Sequence, residues 1–247
     1  MRSFAQVFPT PKSIIGVIHL KGDREEEIRE RAKREIDLYV AGGLDGIIAE
    51  DYFGPYPQLE WVLGYLQKQK LDIPYGVNCL NFDSLNFRLA RLYDCDFLQL
   101  DSVVGHVKPR DEASLDAFFA LERPRTEALV LGGVRFKYQP VLSDRTLEED
   151  LTAAQGRCDA VCVTGDGTGV QTPLEKLRHF KEQLGDFPLV ICSGLRADNC
   201  VEQLRIADAA VVGSFFKDTG KDTGDVDAGK IRMLLEQVRR VREEGNE

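Results

Sequence analysis

The chain has 247 residues and a mass of 27.7 kDa, a length that fits one (β/α)₈ barrel or two small domains. Hydrophobic residues make up 43% and charged residues 30% of the chain, which excludes a disordered chain, a collagen-like fibre and a bundle of membrane helices. The formal net charge of −9 argues against binding nucleic acid through its phosphates and against electrostatic attachment to anionic lipid.

The N-terminal segment 1–12 has a single arginine and no long apolar run, so it does not resemble a secretory signal. No window approaches the roughly 18 apolar residues of a spanning helix, so we expect a cytoplasmic protein without direct membrane insertion. The six cysteines contain no CxxC pair and are expected to be reduced and mostly buried. Cys158 and Cys162 have no second Cys or His pair nearby, so we expect no metal.

Short apolar segments recur along the whole chain. In four of them an Asp is followed by strand-forming residues, and these Asp residues are Asp45, Asp96, Asp159 and Asp208. Four further apolar runs alternate with these segments. In chain order the predicted strands are 14–19, 44–50, 73–79, 95–101, 129–136, 158–164, 187–193 and 207–213.

Amphipathic stretches separate the predicted strands. They are 23–41, 59–66, 85–92, 115–121, 147–154, 174–184, 201–206 and a last helix around 231–241. Eight alternations of strand and helix favour a parallel sheet covered by helices, closed as a single α/β (β/α)₈ TIM barrel. We expect one domain over 1–247, with its core at 12–241 and a frayed tail at 242–247.

Barrels of this kind carry their chemistry at the carboxyl ends of the strands. The odd strands are predicted to end near His19, Asn78, Lys137 and Ser193. The even strands are predicted to end at Glu50, Asp101, Thr164 and Gly213. One rim therefore holds two carboxylates, a lysine, an amide, an imidazole and hydroxyls.

Small residues follow the last two predicted strands, as Ser193-Gly194 and Gly213-Ser214. Small residues let backbone N–H groups approach an anion, so these four residues are predicted to bind phosphate. The alternative is that the glycines only turn the chain. The neighbouring loop 164–169 adds Gly165 and Gly167 as backbone donors to the phosphate, and Asp166 as a base or a ligand of a polar group.

Three residues are predicted to be catalytic. Glu50 and Asp101 can act as general acid and base, although carboxylates at strand ends can also anchor loops. Lys137 can neutralise an anion, form a structural ion pair with either carboxylate, or form a Schiff base. His19 is either a rim residue or a satisfied core histidine, whereas His106 and His179 lie on a loop and a helix, away from the predicted site.

Several segments together resemble the BtpA family, which comprises photosystem I biogenesis protein BtpA and SgcQ-type proteins. The matching segments are 15–20, 43–50, 76–83, 162–169, 193–194 with Asn199, and 211–217. The resemblance implies a barrel of the ribulose-phosphate-binding type. It implies a function only loosely, either in stabilising a photosynthetic membrane complex or in sugar metabolism. We place His19, Asn78, Asn81, Thr164 and Asp166 as substrate-binding residues.

We therefore expect an isomerase or lyase that acts on a small phosphorylated metabolite and needs no cofactor. The alternatives are a non-catalytic scaffold and a flavin-dependent oxidoreductase, because a flavin phosphate can use the same loops. The repeated tetrapeptide in 217–224 is either a flexible flap over the phosphate loops or a solvated connection. The sequence leaves open whether the protein forms a homo-oligomer.

Overall fold

The computed structural model describes residues 2–105 and 111–244. Parallel strands pair in chain order and close on themselves, β8 against β1, which confirms the predicted TIM barrel. The strands are β1 Ser13–Ile18, β2 Gly46–Glu50, β3 Tyr75–Asn78, β4 Phe97–Leu100, β5 Leu129–Gly133, β6 Ala160–Val163, β7 Leu189–Ile191 and β8 Ala209–Val212.

Helices follow the strands and cover the barrel. They are α1 Phe4–Val7, α2 Glu25–Gly42, α3 Tyr56–Gln69, α4 Asp83–Leu92, α5 Glu112–Glu122, α6 Leu147–Gln155, α7 Leu174–Leu184, α8 Cys200–Leu204 and α9 Ala228–Glu244, with short 3₁₀ turns at Arg123–Arg125 and Ser214–Phe216. Helix α9 continues through the first part of the predicted frayed tail, because Arg242 donates to the Pro11 carbonyl and to Asp45. Residues 245–247 lie outside the described part of the chain.

The Asp repeat has a structural role at the amino end of the barrel. Each carboxylate accepts a hydrogen bond from the backbone N–H of a residue in the neighbouring odd strand. The four pairs are Asp45 with Ile14 at 2.8 Å, Asp96 with Tyr75 at 3.1 Å, Asp159 with Val130 at 2.7 Å and Asp208 with Leu189 at 2.8 Å. A cation also pairs with each one, respectively Arg242, Arg2, Arg123 and Lys181. The repeat therefore fixes the register of strand pairs.

The barrel interior is filled with apolar side chains from the amino end upwards. Phe97 and Leu131 are buried inside it, and Phe8 from the segment after α1 packs edge-on against Phe97 at 5.2 Å between ring centroids. Gly76 on β3 makes room for Phe97, since a Cβ at Gly76 would lie 2.3 Å from that ring. The candidate site lies beyond this apolar filling, at the carboxyl ends of the strands.

Candidate functional site

A cavity of ≈ 190 Å³ opens at the carboxyl ends of the strands, lined by residues from loops all round the barrel. It brings together many of the residues predicted from the sequence, namely His19, Glu50, Asn78, Asn81, Asp101, Lys137, Ser193, Gly194, Gly213 and Ser214. Most of them lie at or just after strand ends, where the Asp repeat placed those of the even strands and the apolar runs placed those of the odd strands. The roles assigned to them remain predictions.

The loop after β6 contributes less to the cavity than predicted. Thr164 is buried beneath it, where its hydroxyl accepts the Lys137 backbone N–H at 2.7 Å. Gly165 donates its N–H to Ser193 Oγ at 2.8 Å, so this group is not free to bind a phosphate. Asp166 is exposed outside the cavity lining, and Gly167 also lies outside it. None of these four residues lines the cavity, because the loop folds back on the turn after β7.

Glu50 is a partly buried acid of the site. It is the last residue of β2 and pairs in register with Asn78, the last residue of β3. Burial raises the pKa of Glu50 to about 7; the nearby charge of Lys137 acts in the opposite direction and that of Asp101 in the same direction. A carboxyl group with this pKa can both accept and donate a proton near neutral pH.

Asp101 faces the same cavity, one position after β4. Burial raises the pKa of Asp101, while a 3.5 Å hydrogen bond from the Asn78 amide and the charge of Lys137 lower it. Asp83 at the start of α4 adds a carboxyl group that the sequence did not single out. Burial and then repulsion by Asp101 raise the pKa of Asp83 to about 6. These acids therefore share a low-dielectric region in which protonation of one favours ionisation of the others.

Lys137 reaches the site from a loop rather than from a strand, because β5 ends at Gly133. Arg135 turns away with a positive φ of 46° and pairs with Asp150 at 3.1 Å. Among the ion pairs of the described residues, none joins Lys137 to Glu50 or Asp101, so the predicted structural ion pair is not formed. The Lys137 ammonium is therefore available to an anionic ligand while still acting on the pKa of Glu50.

His19 is a buried rim residue rather than a satisfied core histidine. It is 6% exposed and its Nδ1 atom is buried without a hydrogen-bond partner. Burial, followed by the charges of Lys217 and Lys137, lowers the pKa of His19 to about 3, so its ring is neutral at physiological pH. Asn78 is also buried, and its Oδ1 atom has no partner. Buried polar groups without partners are rare and mark places where a ligand or water binds.

The turns after β7 and β8 pack tightly. Gly194 has a φ of +68°, and a Cβ there would lie 2.3 Å from the Val170 backbone. A Cβ at Gly213 would lie 2.8 Å from the His19 ring. No hydrogen bond among the described residues uses the backbone N–H of Gly194, Gly213 or Ser214 as a donor. These N–H groups suit an anion.

The Ser193 hydroxyl, in contrast, is used within the protein. It accepts the Gly165 N–H and donates to the Val170 carbonyl at 3.0 Å. Ser193 therefore joins the loops after β6 and β7. The Ser214 hydroxyl, also part of the predicted phosphate site, has no protein partner among the described residues and lines the cavity.

Two tyrosines at the cavity mouth were missed by the sequence reasoning. Thr168 links them, with its hydroxyl 3.2 Å from the Tyr52 hydroxyl and 3.3 Å from the Tyr138 hydroxyl. Tyr52 lies two residues after Glu50, and Tyr138 follows Lys137 directly, so reading beyond the strand ends could have found both. Arg196 after β7 also lines the cavity and was missed.

The segment 217–224 is anchored at its start. Lys217 is 1% exposed and its ammonium pairs with Glu35 of α2 at 2.5 Å, which contradicts a flap that is free along its whole length. Gly220, further along the segment, lines the cavity. Lys217 is thus a core residue, and only the tip of this segment covers the site.

The remaining predictions concern residues away from the cavity. His179 pairs with Glu148 on the exposed face of α7, and His106 lies outside the described residues.

Within 2–105 and 111–244, no group of three or more His, Cys, Asp or Glu is placed to hold a metal ion. No helix in the described chain is long and apolar enough to cross a membrane. All six cysteines are buried and unpaired.

Eight parallel strands around an apolar interior, with a polar cavity at their carboxyl ends, define a TIM-barrel protein whose cavity lies where enzymes of this fold hold their active sites. Residues 10–240 match the BtpA family, and the chain belongs to that family. It is 26% identical to photosystem I biogenesis protein BtpA of Synechocystis over 94% of this chain and 90% of the relative. It is also 26% identical to the putative sgc region protein SgcQ of Escherichia coli, over 96% and 98% of the two chains.

Solved structures support the fold. Thiamine phosphate pyrophosphorylase from Pyrococcus furiosus has a TM-score of 0.60 and 17% identity, covering 93% of this chain and 96% of that chain. Phosphoribosyl anthranilate isomerase from Thermus thermophilus has a TM-score of 0.61 and 14% identity, covering 93% and 99%. At these identities the likeness concerns the fold alone.

Proposed function

We propose that this protein is an isomerase or lyase that binds a small phosphorylated metabolite in the cavity at the carboxyl end of the barrel. One observation carries the proposal. A carboxyl group with a pKa of about 7, that of Glu50, lines the same cavity as Lys137, which has no ion-pair partner in the described structure. In the same cavity, N–H groups without protein acceptors follow β7 and β8.

The phosphate binds at the β7 and β8 turns. The backbone N–H groups of Gly194, Gly213 and Ser214 and the Ser214 hydroxyl are its donors. Arg196 lines the same part of the cavity, and its guanidinium pairs with Asp198 at 3.1 Å. Ser193 positions this subsite from behind, because its hydroxyl is already bonded to the β6 loop.

The reacting part of the ligand lies across the cavity from the phosphate. Glu50 accepts and returns the proton, and Asp101 holds a second carboxyl group in the same cavity. Lys137 stabilises negative charge that develops on an oxygen atom of the ligand. This set of groups suits isomerase or lyase chemistry, which needs proton transfer but no electron acceptor.

The names of the structural neighbours agree with this proposal. Thiamine phosphate pyrophosphorylase and phosphoribosyl anthranilate isomerase are named for phosphorylated compounds. The name of the Synechocystis relative assigns it a role in photosystem I biogenesis, and a non-catalytic role is therefore an outcome that the experiment below has to separate.

Ligand binding tests the proposal. Inorganic phosphate and a panel of sugar phosphates are titrated into the protein by calorimetry, with the non-phosphorylated sugars as controls. We expect binding that depends on the phosphate and that Ser214→Asp abolishes, because a carboxylate repels the phosphate. Thr152→Asp makes the same charge change at an exposed position on α6 and should leave binding unchanged. Failure of every phosphorylated compound to bind would contradict the proposal and favour a non-catalytic role.

A further inference from the structure

Three neighbouring strands present polar side chains at the same height in the cavity. Ile18 of β1 pairs with Ala49 of β2, and the next residues along these strands are His19 and Glu50. Glu50 in turn pairs with Asn78 of β3. The carboxyl group of Glu50 therefore has an imidazole on one side and an amide on the other.

The imidazole of His19 offers a hydrogen-bond donor to the cavity. Nδ1 is buried without a partner, which leaves Nε2 as the ring nitrogen that reaches the cavity. A proton on Nδ1 would be a buried donor without an acceptor, which is rarer and more costly than a buried acceptor without a donor. The neutral ring therefore carries its proton on Nε2 and donates to an oxygen atom of the ligand.

The amide of Asn78 offers a hydrogen-bond acceptor to the cavity. Its Nδ2 donates to Asp101 Oδ1 at 3.5 Å, and its Oδ1 is a buried acceptor without a partner. An acceptor in this position is satisfied by a hydroxyl group of the ligand. The cavity thus presents a donor, His19 Nε2, on one side of the Glu50 carboxyl group and an acceptor, Asn78 Oδ1, on the other side.

From this arrangement we infer that the substrate is a phosphorylated α-hydroxycarbonyl compound and that the reaction is an aldose–ketose type isomerisation, with His19 as a catalytic residue. The carbonyl oxygen accepts from His19 Nε2, the adjacent hydroxyl donates to Asn78 Oδ1, and Glu50 faces the carbon that bears the hydroxyl. This inference rests on the proposed function and narrows it to one reaction.

The step balances without an external oxidant or reductant. The Glu50 carboxylate removes the proton from the hydroxyl-bearing carbon, and the electron pair of that C–H bond forms a carbon–carbon double bond. The carbonyl π electrons move to the oxygen, giving an enediolate that His19 and Lys137 stabilise. Glu50 then returns the proton to the former carbonyl carbon, and the hydroxyl proton is transferred between the two oxygens. One carbon is oxidised and its neighbour is reduced by the same two electrons.

Lys137 and His19 line the same cavity as Glu50, His19 just after β1 and Lys137 in the loop after β5, so both can stabilise the enediolate. The positive charges of Lys137 and the buried Lys217 lower the pKa of the His19 ring. The Lys217 ammonium also pairs with Glu35 of α2. A positive charge on the His19 ring is therefore unfavourable. The neutral ring, rather than an imidazolium, donates the hydrogen bond.

Deuterium exchange tests the inference. The protein is incubated in D₂O with a panel of three- to six-carbon aldose and ketose phosphates, and incorporation at the carbon next to the carbonyl is followed by NMR. We expect exchange for at least one compound that binds. His19→Leu should slow it by roughly 10²–10³-fold, the loss typical of one oxyanion donor, whereas His19→Gln keeps an N–H donor and retains part of the rate. His179→Leu, at the exposed pair with Glu148, is the control and should change nothing.

The outcomes separate this inference from the proposed function. Binding of a sugar phosphate without any deuterium incorporation overturns the isomerisation but leaves phosphate binding in place. Equal exchange rates in His19→Leu and wild type overturn the role of His19. Absence of binding by all phosphorylated compounds overturns both.

A spectroscopic measurement checks His19 without any substrate. The chain has three histidines, so ¹⁵N spectra of wild type and His19→Gln identify the His19 signals. We expect a neutral ring protonated on Nε2 from pH 5 to pH 8. A ring protonated on Nδ1, or one that takes up a second proton in this range, overturns the inference.

Discussion

The carboxyl groups at the two ends of the barrel have opposite environments. At the amino end, the carboxylates of the four repeated Asp residues each accept from a strand N–H and each pair with a cation. At the carboxyl end, His19 and Asn78 are buried with atoms that have no partner, and Glu50 has a pKa raised to about 7. Arg2 Nε and Arg123 Nη1 at the amino end also lack hydrogen-bond partners, so it is the carboxyl groups that distinguish the two ends. Those of the amino end are paired and stabilise the fold, and those of the carboxyl end line a cavity with raised pKa values and can take part in chemistry.

Substitution of Glu50 should have the largest effect, and on activity rather than on folding. Glu50→Gln keeps the shape of the side chain but removes the group that moves the proton. We expect turnover of the substrate found in the binding screen to fall by roughly 10²–10⁴-fold, with the melting temperature no lower than that of wild type. Turnover within a factor of about two of wild type would exclude Glu50 as the base.

Removal of an Asp from the amino end should lower the stability of the fold and leave ligand binding unchanged. Asp159→Ala leaves the Val130 N–H and the mostly buried Arg123 guanidinium without their partner, so we expect a loss of about 3 kcal/mol in the free energy of unfolding. Denaturant titration measures it, and ligand affinity should not change. Asp186→Ala, at an exposed position, should stay within about 0.5 kcal/mol of wild type.

Stability should also depend on pH through Glu50. Its folded pKa of about 7 lies above its ordinary value of 4.5, so between these values the folded protein holds a proton that the unfolded chain has released. Stability therefore falls as pH rises from about 4.5 to 7, and the loss is complete above 7. Relative to Glu50→Gln, wild type should lose up to about 3 kcal/mol from pH 4.5 to pH 8. Parallel curves for the two proteins would show that the pKa of Glu50 is not raised.

Lys137 should affect both binding and the pH dependence of turnover. Lys137→Met removes a positive charge that lowers the pKa of Glu50, so that pKa should rise and the rate should reach half its maximum at a higher pH. The affinity for an anionic ligand should fall by roughly 10–100-fold. Arg135→Met is the matched control, because Arg135 pairs with Asp150 outside the cavity. A rate profile that moves to lower pH would contradict the assignment.

Arg2 should show the smallest effect of the series. Its pair with Asp96 is partly exposed, with side-chain exposures of 38% and 26%, so Arg2→Ala should cost less than about 1 kcal/mol. Asp96 keeps the Tyr75 N–H as a partner. A loss in the free energy of unfolding as large as that of Asp159→Ala would show that the ion pairs of the four repeated Asp residues are equally buried in solution.

The sequence predicted the barrel because the Asp repeat is a local pattern with a local cause. Each Asp accepts an N–H of the neighbouring strand, so its position marks where the next strand begins, and counting five residues onward reaches Glu50 and Asp101. The odd strands carry no such Asp, and their apolar runs alone placed His19 and Asn78 at strand ends, where both line the cavity. Periodicity and register are properties of short segments and can be read from them.

Loops limited the prediction of the site. Lys137 was placed at a strand end, but β5 ends at Gly133 and the chain turns through Arg135 to bring Lys137 back to the cavity. The glycines after β6 were predicted to bind phosphate, yet Gly165 uses its N–H to hold Ser193. Such contacts join residues far apart in the chain, and composition carries no information about them.

Native mass spectrometry of the protein incubated with sugar phosphates measures ligand binding at the carboxyl end of the barrel. We expect an adduct of one phosphorylated compound on wild type, its loss in Ser214→Asp and its retention in Asp159→Ala, because only the carboxyl end binds the ligand. An adduct that persists in Ser214→Asp, or its absence from wild type, would show that the phosphate does not bind there.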